Sequence, residues 1–304
     1  MRNFAEGGRT MAALELVVTA EQAGRTVKSL LRGELGLSAG RVGRLKRTET
    51  GLTVNGRRVF VTALLRAGDR LRVDLDAAER PSPLVPAAMA LEVLYEDEHL
   101  LVVNKPAGLA SIPSSLSPEE PSLAQGLVHY LGPGACVHLV NRLDRGTSGV
   151  LAAAKNGWAH DALRRQLHSE RFRRTYLALC LGAPCPPEGT VDQPIGRDPS
   201  SAVKRRIDPE GQRALTGYRV VAQAGPLCLV EVRPRTGRTH QIRVHMACLG
   251  CPLAGDWLYG VEDRALIGRP ALHAHSLVLA HPDGGRELAV AAPLPEDMKT
   301  LLER

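Results

Sequence analysis

The chain has 304 residues, 44% of them hydrophobic, a net charge of +7 and a pI of about 9.3. This composition excludes a disordered chain and predicts a folded, basic protein of two domains whose partner is acidic, nucleic acid being the first candidate. No apolar run approaches the roughly 20 residues of a membrane span, and no leader opens the chain, so we expect a cytoplasmic protein with no membrane partner.

The chain begins with a polar, Gly-rich stretch, residues 1–13, which we predict to be disordered. Residues 14–76 then form a distinct basic unit, in which twelve Lys and Arg face seven Asp and Glu. Strands are predicted at its start, on both sides of the turn Asn55-Gly56, and over residues 70–75.

Two helices are predicted inside this basic unit. Apolar residues at helical spacing end before Gly36, and Ser38 is suited to cap a second helix. The second helix places Arg41, Arg44 and Arg47 in one stripe at i, i+3 and i+6. Such a stripe can bind RNA phosphates, and the alternative is a solvated helix face.

Residues 77–90 contain three prolines in a short Ala- and Ser-containing stretch and are predicted to form a linker before a second domain, residues 91–304. In that domain we predict a helix capped by Asn156 and Ser- or Pro-rich loops over 111–123 and 192–213. Apolar segments predict strands over 91–95, 99–103, 150–154, 174–182, 214–221, 227–233 and 271–280.

Residues 138–150, HLVNRLDRGTSGV, concentrate the candidate chemistry. One carboxylate, Asp144, lies between Arg142 and Arg145 on a turn with apolar flanks. A carboxylate held by cations stays ionised and can act as a nucleophile, whereas the alternative is a surface turn with a capping Asp. A Ser nucleophile of the α/β-hydrolase kind is excluded, because Ser148 lies in G-T-S-G and not in G-x-S-x-G.

A second polar cluster opens a helix that is predicted to end at Gly250. Its histidines, His240 and His245, lie five residues apart and therefore about 140° apart around a helix, which is unsuited to a zinc pair. Cys248 and Cys251 have the C-x-x-C spacing of half a zinc or thiol site, so a metal- or thiol-dependent enzyme remains an alternative.

Several motifs occur in one order between residues 104 and 274: N-K-P-A-G, R-L-D-R-G-T-S-G, R-T-Y-L-A-L, P-I-G-R-D, T-G-R-T-H-Q-I-R-V-H-M-A, G-D-x-L-Y-G and L-H-A. This order resembles the RluA-type pseudouridine synthases. The V-N-G-x-x-V hairpin and G-D-x-L-x-V ending of the basic unit resemble the S4-like RNA-binding domain. The implied fold class is α+β, a small S4-like α/β module followed by a catalytic domain with a mixed, largely antiparallel β-sheet flanked by helices.

The resemblance implies isomerisation of uridine in structured RNA to pseudouridine, with no cofactor and no metal. Asp144 matches the nucleophile, Tyr176 the active-site tyrosine, and Arg243 the arginine that pairs with the aspartate. Arg142 matches the arginine that helps to displace the target base, and Leu272 an apolar pocket residue. The remaining predicted substrate contacts are Lys105, Thr147, Arg238, His240 and Gln241.

The chain departs from the family pattern at Asn141, where the usual motif has His, and at Arg174, where the family often has Lys. Asn hydrogen-bonds but carries no proton charge at neutral pH. A protein that binds RNA through an inactive synthase domain is therefore an alternative. Large-subunit ribosomal RNA is the first expected substrate and transfer RNA the second, and we expect a monomer.

Overall fold

The structure, a computed structural model, describes residues 13–75, 77, 81–115, 117–167 and 169–303. The disorder predicted for residues 1–13 lies outside these ranges except at residue 13, which begins the first strand. The helices are α1 (Val27–Gly33), α2 (Ala39–Leu45), α3 (Leu123–Leu131), α4 (Gly157–Gln166), α5 (Gln241–Cys248) and α6 (Glu296–Leu302).

The strands fall into three sheets. The first contains β1 (Ala13–Val17), β2 (Leu52–Val54), β3 (Arg57–Arg58) and β4 (Arg70–Asp74). The second contains β5 (Glu92–Glu96), β6 (Leu100–Lys105), β7 (His138–Leu139), β8 (Ser148–Ala154), β9 (Phe172–Leu181), β10 (Glu188–Asp192), β13 (Leu215–Ala224), β14 (Leu227–Pro234), β15 (Leu272–Ala280) and β16 (Glu287–Ala291). The third is the hairpin of β11 (Ile195–Arg197) and β12 (Arg205–Ile207).

The first sheet has the strand order β1-β4-β2-β3 and packs with α1 and α2. Asn55 and Gly56 have positive φ values of 51° and 77°, which allows the two-residue turn between β2 and β3. The Ser38 hydroxyl accepts the backbone N–H of Arg41 at 3.4 Å and so caps α2 as predicted.

The second sheet runs β10-β13-β14-β9-β15-β8-β6-β5, with β16 beside β15 and β7 beside β8. Its ladders are antiparallel except for the pairing of β15 with β8, which is parallel. The predicted class, α+β with a mixed and largely antiparallel sheet, is confirmed. The parallel pair lies at the centre of the sheet, where the strands β9, β15 and β8 bring distant parts of the chain together.

Alternate residues of the central strands enter two different cores, as the period of a β-strand requires. Leu100 and Val102 of β6 pack into one core, together with α4 and the N-terminal unit. Leu101 and Val103 face the other core, which includes α3 and α5. Both faces of the sheet are therefore covered by packed side chains. The candidate site described below lies beside the central strands.

The N-terminal unit is docked on the second domain by the turn between α1 and α2. The indole N–H of Trp158 donates to the carbonyl of Leu35 at 3.2 Å, and Arg165 donates to the carbonyl of Gly36 at 2.8 Å. One apolar cluster includes both Leu31 and Trp158. The two parts of the chain thus share one apolar core.

The predicted linker also packs on the second domain. The backbone N–H of Ser82 donates to Ala135 at 3.0 Å, and that of Ala87 donates to Gln125 at 3.2 Å. Residues 81–90 therefore follow the surface of the second domain and have no regular strand or helix.

Three local predictions were incomplete. The 192–213 loop contains the hairpin of β11 and β12, and the C-terminal helix α6 was not predicted. Helix α3 was missed, although Ser122 and Gln125 form the capping box of its first turn. None of the described helices has the length and apolarity that a membrane crossing requires.

Candidate active site

A cavity of about 940 Å³ opens at the centre of the second sheet. Nine of the ten residues predicted as catalytic or substrate-binding in the second domain line it: Arg142, Asp144, Thr147, Tyr176, Arg238, His240, Gln241, Arg243 and Leu272. The tenth, Lys105, lies behind the wall. The motifs of the sequence thus converge on one site from the loop before β8, from β9, from the start of α5 and from β15.

Asp144 lies on a turn that hydrogen bonds fix on both sides. The Thr147 N–H donates to the Asp144 carbonyl at 3.0 Å and closes the turn just before β8. On the preceding residue, Leu143, the buried Ser111 hydroxyl donates to the carbonyl at 2.6 Å and accepts the N–H at 3.0 Å. The Asp144 side chain keeps 30% of its surface exposed to the cavity, so the turn presents a carboxylate without burying it.

Lys105 supports the same turn from inside the protein. Its side chain is fully buried, and its ammonium donates to the carbonyls of Pro106 at 2.8 Å, Leu109 at 2.7 Å and Arg145 at 3.3 Å. Burial lowers the pKa of Lys105 to about 7, against the opposing field of Asp144. The predicted substrate contact is not supported, because all three donors of the ammonium are directed at backbone carbonyls.

Arg243 has a different partner from the one predicted. Its guanidinium forms a bidentate ion pair with the fully buried Asp256, at 2.7 and 2.6 Å, and not with Asp144. No arginine in the described ranges lies within 4.0 Å of the Asp144 carboxylate as an ion pair. Although burial opposes the charge, the bonds and the field of Asp256, with a smaller contribution from Asp144, raise the pKa of Arg243. Arg243 is therefore a fixed cation close enough to Asp144 to act through its field.

The imidazole of His240 faces the candidate nucleophile. Its Nε2 lies 4.0 Å from Oδ2 of Asp144, and its Nδ1 lies 2.8 Å from the hydroxyl of Tyr259. The residue adopts a left-handed conformation, φ 58° and ψ 17°, at the start of α5. Burial lowers the pKa of His240 despite the nearby Asp144, which favours a neutral imidazole at neutral pH.

Tyr176 and Leu272 supply the apolar part of the cavity wall. Tyr176 lies on β9 opposite Ala274 of β15, and Leu272 lies opposite Ala178 on the same pair of strands. Burial raises the pKa of the Tyr176 hydroxyl, which keeps it protonated. A flat ring beside an aliphatic side chain is suited to pack against a planar ring of a ligand.

Six arginines and one carboxylate line the cavity among the residues that the structure describes. The arginines are Arg142, Arg145, Arg164, Arg174, Arg238 and Arg243, and the carboxylate is Asp144. Arg174 is held by the carbonyls of Pro234 and Thr236, and Arg238 by the carbonyl of Arg213. Bonds to neutral carbonyls leave the guanidinium charge available, so the cavity favours a polyanion.

The guanidinium of Arg145 is turned away from Asp144. It forms an ion pair with Glu120 and donates to the carbonyl of Gly108 at 2.9 Å. The expectation that Arg142 and Arg145 hold the carboxylate from both sides is therefore not supported by the contacts of Arg145.

Several predicted contacts are occupied within the protein. The Gln241 amide is bonded to Thr236, Arg238, Leu215 and Thr216. Asn141, which departs from the family pattern, is likewise buried: its side chain accepts the N–H of Ala152 at 2.9 Å. Gln241 and Asn141 therefore shape the wall, and Thr147, which is 3% exposed, closes the Asp144 turn.

The predicted basic stripe of the N-terminal unit does not form one surface. Arg41 is 4% exposed, with its Nε 3.8 Å from a carboxylate oxygen of Asp161 on α4, so its burial does not support a phosphate contact. Arg44 is half-buried, and Arg47 is exposed but lies beyond the end of α2. The interface with α4 accounts for the difference, since it covers one face of the helix.

The cysteines of the C-x-x-C motif, Cys248 and Cys251, do not form a zinc or thiol site. Cys248 is exposed, whereas Cys251 is buried near Cys180. Among the described residues no three His, Cys, Asp or Glu side chains cluster in a way that could hold a metal ion.

Sequence reasoning missed two residues of the loop 255–260, Asp256 and Tyr259, which contact Arg243 and His240. Their signal was present, because the motif G-D-x-L-Y-G contains both, but nothing in the spacing indicated which side chains they would meet.

Comparison with known proteins gives a consistent result. Residues 99–248 match the family model described as RNA pseudouridylate synthase. An uncharacterized RNA pseudouridine synthase of Bacillus subtilis, YjbO, is 42% identical over 89% of this chain and 96% of its own length. Ribosomal large subunit pseudouridine synthase D of Xanthomonas campestris is 38% identical over 78% of this chain and 76% of its own. Among solved structures, human RNA pseudouridylate synthase domain containing 1 superposes with a TM-score of 0.57 at 28% identity, covering 69% of this chain and 86% of that one.

Proposed function

The chain belongs to the RNA pseudouridylate synthase family, and on this premise we propose that it converts uridines of ribosomal RNA to pseudouridine with Asp144 as nucleophile and without a cofactor. The observation that carries the proposal is the placement of Asp144: among the described residues that line the cavity it is the sole carboxylate, and six arginines line the same cavity.

The reaction breaks the N1–C1′ bond of uridine and forms a C5–C1′ bond, and the proton lost from C5 is balanced by one gained at N1. A carboxylate can form a covalent intermediate with the ribose or the base, and it can stabilise the positive character that develops at C1′. One carboxylate suffices, because the base is retained and no water is activated. The fixed turn and the exposure of Asp144 to the cavity support this role.

The target uridine must leave its stack to reach Asp144, and the cavity is built for such a base. Tyr176 and Leu272 offer an apolar surface to the flipped uracil, and the arginines favour the flanking phosphates. Arg142, which is exposed at the cavity, is suited to occupy the space that the base vacates.

Ribosomal RNA is proposed ahead of transfer RNA because relatives at 37–38% identity bear the name of ribosomal large subunit pseudouridine synthase D. We further propose that residues 14–76 are an S4-like unit that contacts RNA. Its exposed cations Lys46, Arg47, Arg57 and Arg58 support this role. A monomeric state and a cytoplasmic location stay predictions.

The test is a pseudouridine map of ribosomal and transfer RNA from cells with and without the gene. The proposal expects one or more sites in large-subunit ribosomal RNA to disappear with the gene and to return when purified protein is added to the extracted RNA. Sites lost only from transfer RNA would overturn the choice of substrate. No lost site in either RNA would favour an RNA-binding protein without synthase activity.

A further inference from the structure

The loop 255–260, G-D-W-L-Y-G, has no role in the reaction described above, yet it contacts two residues of the cavity. Asp256 is fully buried, and its two oxygens hold the Arg243 guanidinium at 2.7 and 2.6 Å. The same carboxylate accepts the backbone N–H groups of Leu258 at 3.1 Å and Tyr259 at 3.3 Å. Asp256 therefore fixes the shape of its own loop and the position of Arg243 together.

Tyr259 connects the loop to His240. Its ring lies 5.0 Å from the guanidinium carbon of Arg243, and its hydroxyl lies 2.8 Å from Nδ1 of His240. The hydroxyl also accepts the backbone N–H of Arg205 at 2.8 Å. One tyrosine thus contacts both groups that flank Asp144.

The contacts on both sides of His240 favour one position for its proton. The hydroxyl of Tyr259 accepts the N–H of Arg205 and keeps its own proton to donate to Nδ1 of His240, while Nε2 faces the Asp144 carboxylate, which can only accept. Nδ1 is then an acceptor, and the neutral imidazole carries its hydrogen on Nε2. That nitrogen faces Oδ2 of Asp144 at 4.0 Å.

We propose that the loop 255–260 positions the catalytic carboxylate: Tyr259 holds His240 as the Nε2–H tautomer facing Asp144, and Asp256 holds Arg243 where its charge acts on Asp144 through its field. The inference rests on the proposed function of Asp144. A neutral donor on Oδ2 orients the carboxylate without protonating it and leaves Oδ1 free to attack. The 4.0 Å separation must shorten by about 1 Å for a hydrogen bond, and catalytic contacts commonly tighten in this way when substrate fills a site.

His240 is held in place by its backbone as well as by Tyr259. Its φ of 58° lies in the left-handed region, which only a few per cent of residues other than glycine adopt, although His, like Asn and Asp, is found there more often than most. Together with Asn55 of the hairpin turn, it is one of two residues other than glycine with positive φ in the described ranges. Such a conformation is retained only where neighbouring contacts fix it, in agreement with a positioned side chain.

The test uses Tyr259→Phe, which removes the hydroxyl and keeps the ring over Arg243. With total RNA from cells lacking the gene, followed at the uridine that the wild-type protein converts, the single-turnover rate at saturating RNA should fall about tenfold, the effect of one orienting hydrogen bond. RNA affinity should change little, and thermal stability should fall only slightly, because the backbone N–H of Arg205 also loses its acceptor. Combining Tyr259→Phe with His240→Ala should give the rate of His240→Ala alone, because the hydroxyl acts through the imidazole.

The matched control is Tyr218→Phe, which removes the hydroxyl of a buried tyrosine, bonded to the carbonyl of Pro186 at 3.4 Å and outside the cavity lining. It should leave the rate unchanged. A wild-type rate in Tyr259→Phe, an equal loss in Tyr218→Phe, or losses that add in the double variant would overturn the inference.

Asp144→Asn, measured in parallel, separates the two levels of the argument. An inactive Asp144→Asn beside an unimpaired Tyr259→Phe overturns the positioning role alone. An active Asp144→Asn overturns the proposed nucleophile and the inference with it.

Discussion

Replacing Lys105 with Met tests whether a buried ammonium supports the Asp144 turn. Methionine has a similar length and no donor, so the carbonyls of Pro106, Leu109 and Arg145 lose their bonds to the ammonium. The Arg145 carbonyl keeps the N–H of Gly108 at 2.8 Å. The carbonyls of Pro106 and Leu109 are thus left without a donor that the structure shows, and each should lower the free energy of unfolding by about 1–3 kcal/mol. Part of this loss is offset because the variant no longer buries a charge.

The difference in unfolding free energy between wild type and Lys105→Met should depend on pH, and this dependence separates the lost hydrogen bonds from the avoided burial of a charge. The pKa of Lys105 is lowered from 10.5 to about 7 in the fold, so above pH 7 the unfolded chain binds the proton more tightly than the folded protein. The contribution of the wild-type lysine to stability is therefore fully present above pH 10.5 and is lost as the pH falls toward 7. The slope reaches about 1.4 kcal/mol per pH unit, so Lys105→Met should lose about 2–3 kcal/mol more, relative to wild type, at pH 9 than at pH 7.

The assay is urea unfolding of both proteins at pH 7 and pH 9, with single-turnover rates as a second measurement. Other titrating groups cancel in the comparison, and the loosened turn should slow the reaction about tenfold. Lys155→Met is the matched control. It removes a partly exposed lysine paired with Glu96 at 2.9 Å and should cost about 1 kcal/mol or less. A stability difference that is constant with pH, or larger at pH 7, would refute the reasoning.

Three further predictions follow from the contacts of the arginines and of the cavity. Arg243→Lys should lower the single-turnover rate at least tenfold, about 1.4 kcal/mol, while RNA affinity is retained, because lysine cannot form the bidentate pair with Asp256; an unchanged rate would mark Arg243 as a phosphate contact. Arg41→Ala should destabilise the protein by about 1–3 kcal/mol, measured by unfolding, because it removes the buried contact with Asp161. Arg47→Ala should instead weaken RNA binding and reduce the slope of log affinity against log salt concentration by about one, measured at several salt concentrations. Activity should be the same with and without excess chelator, and a loss that added zinc restores would contradict the cofactor-free mechanism.

The sequence predicted the site well for those residues that are themselves part of a motif. Asp144, Tyr176 and Leu272 lie in separate segments, and their motifs were sufficient to predict a common cavity. Capping residues such as Ser38 and Asn156 similarly predicted where helices begin, because a cap is a local interaction.

The contacts that were predicted wrongly are those set by packing between segments. Arg41 belongs to a basic stripe by spacing, but the docking of α2 beside α4 buries it. The partner of Arg243 lies thirteen residues along the chain in a loop whose path depends on its own packing. Lys105 was predicted as a substrate contact, but the fold closes three carbonyls around its ammonium. Spacing alone gives no measure of these distances.

The most direct test of the nucleophile is the single-turnover rate of Asp144→Asn on RNA from cells lacking the gene, read as pseudouridine at the site that the wild-type protein converts. The variant keeps the size of the side chain and the hydrogen-bonded turn but loses the negative charge. The rate should fall by at least about a thousandfold while RNA affinity is retained. Conversion within tenfold of the wild-type rate would contradict the assignment of Asp144 as the catalytic nucleophile.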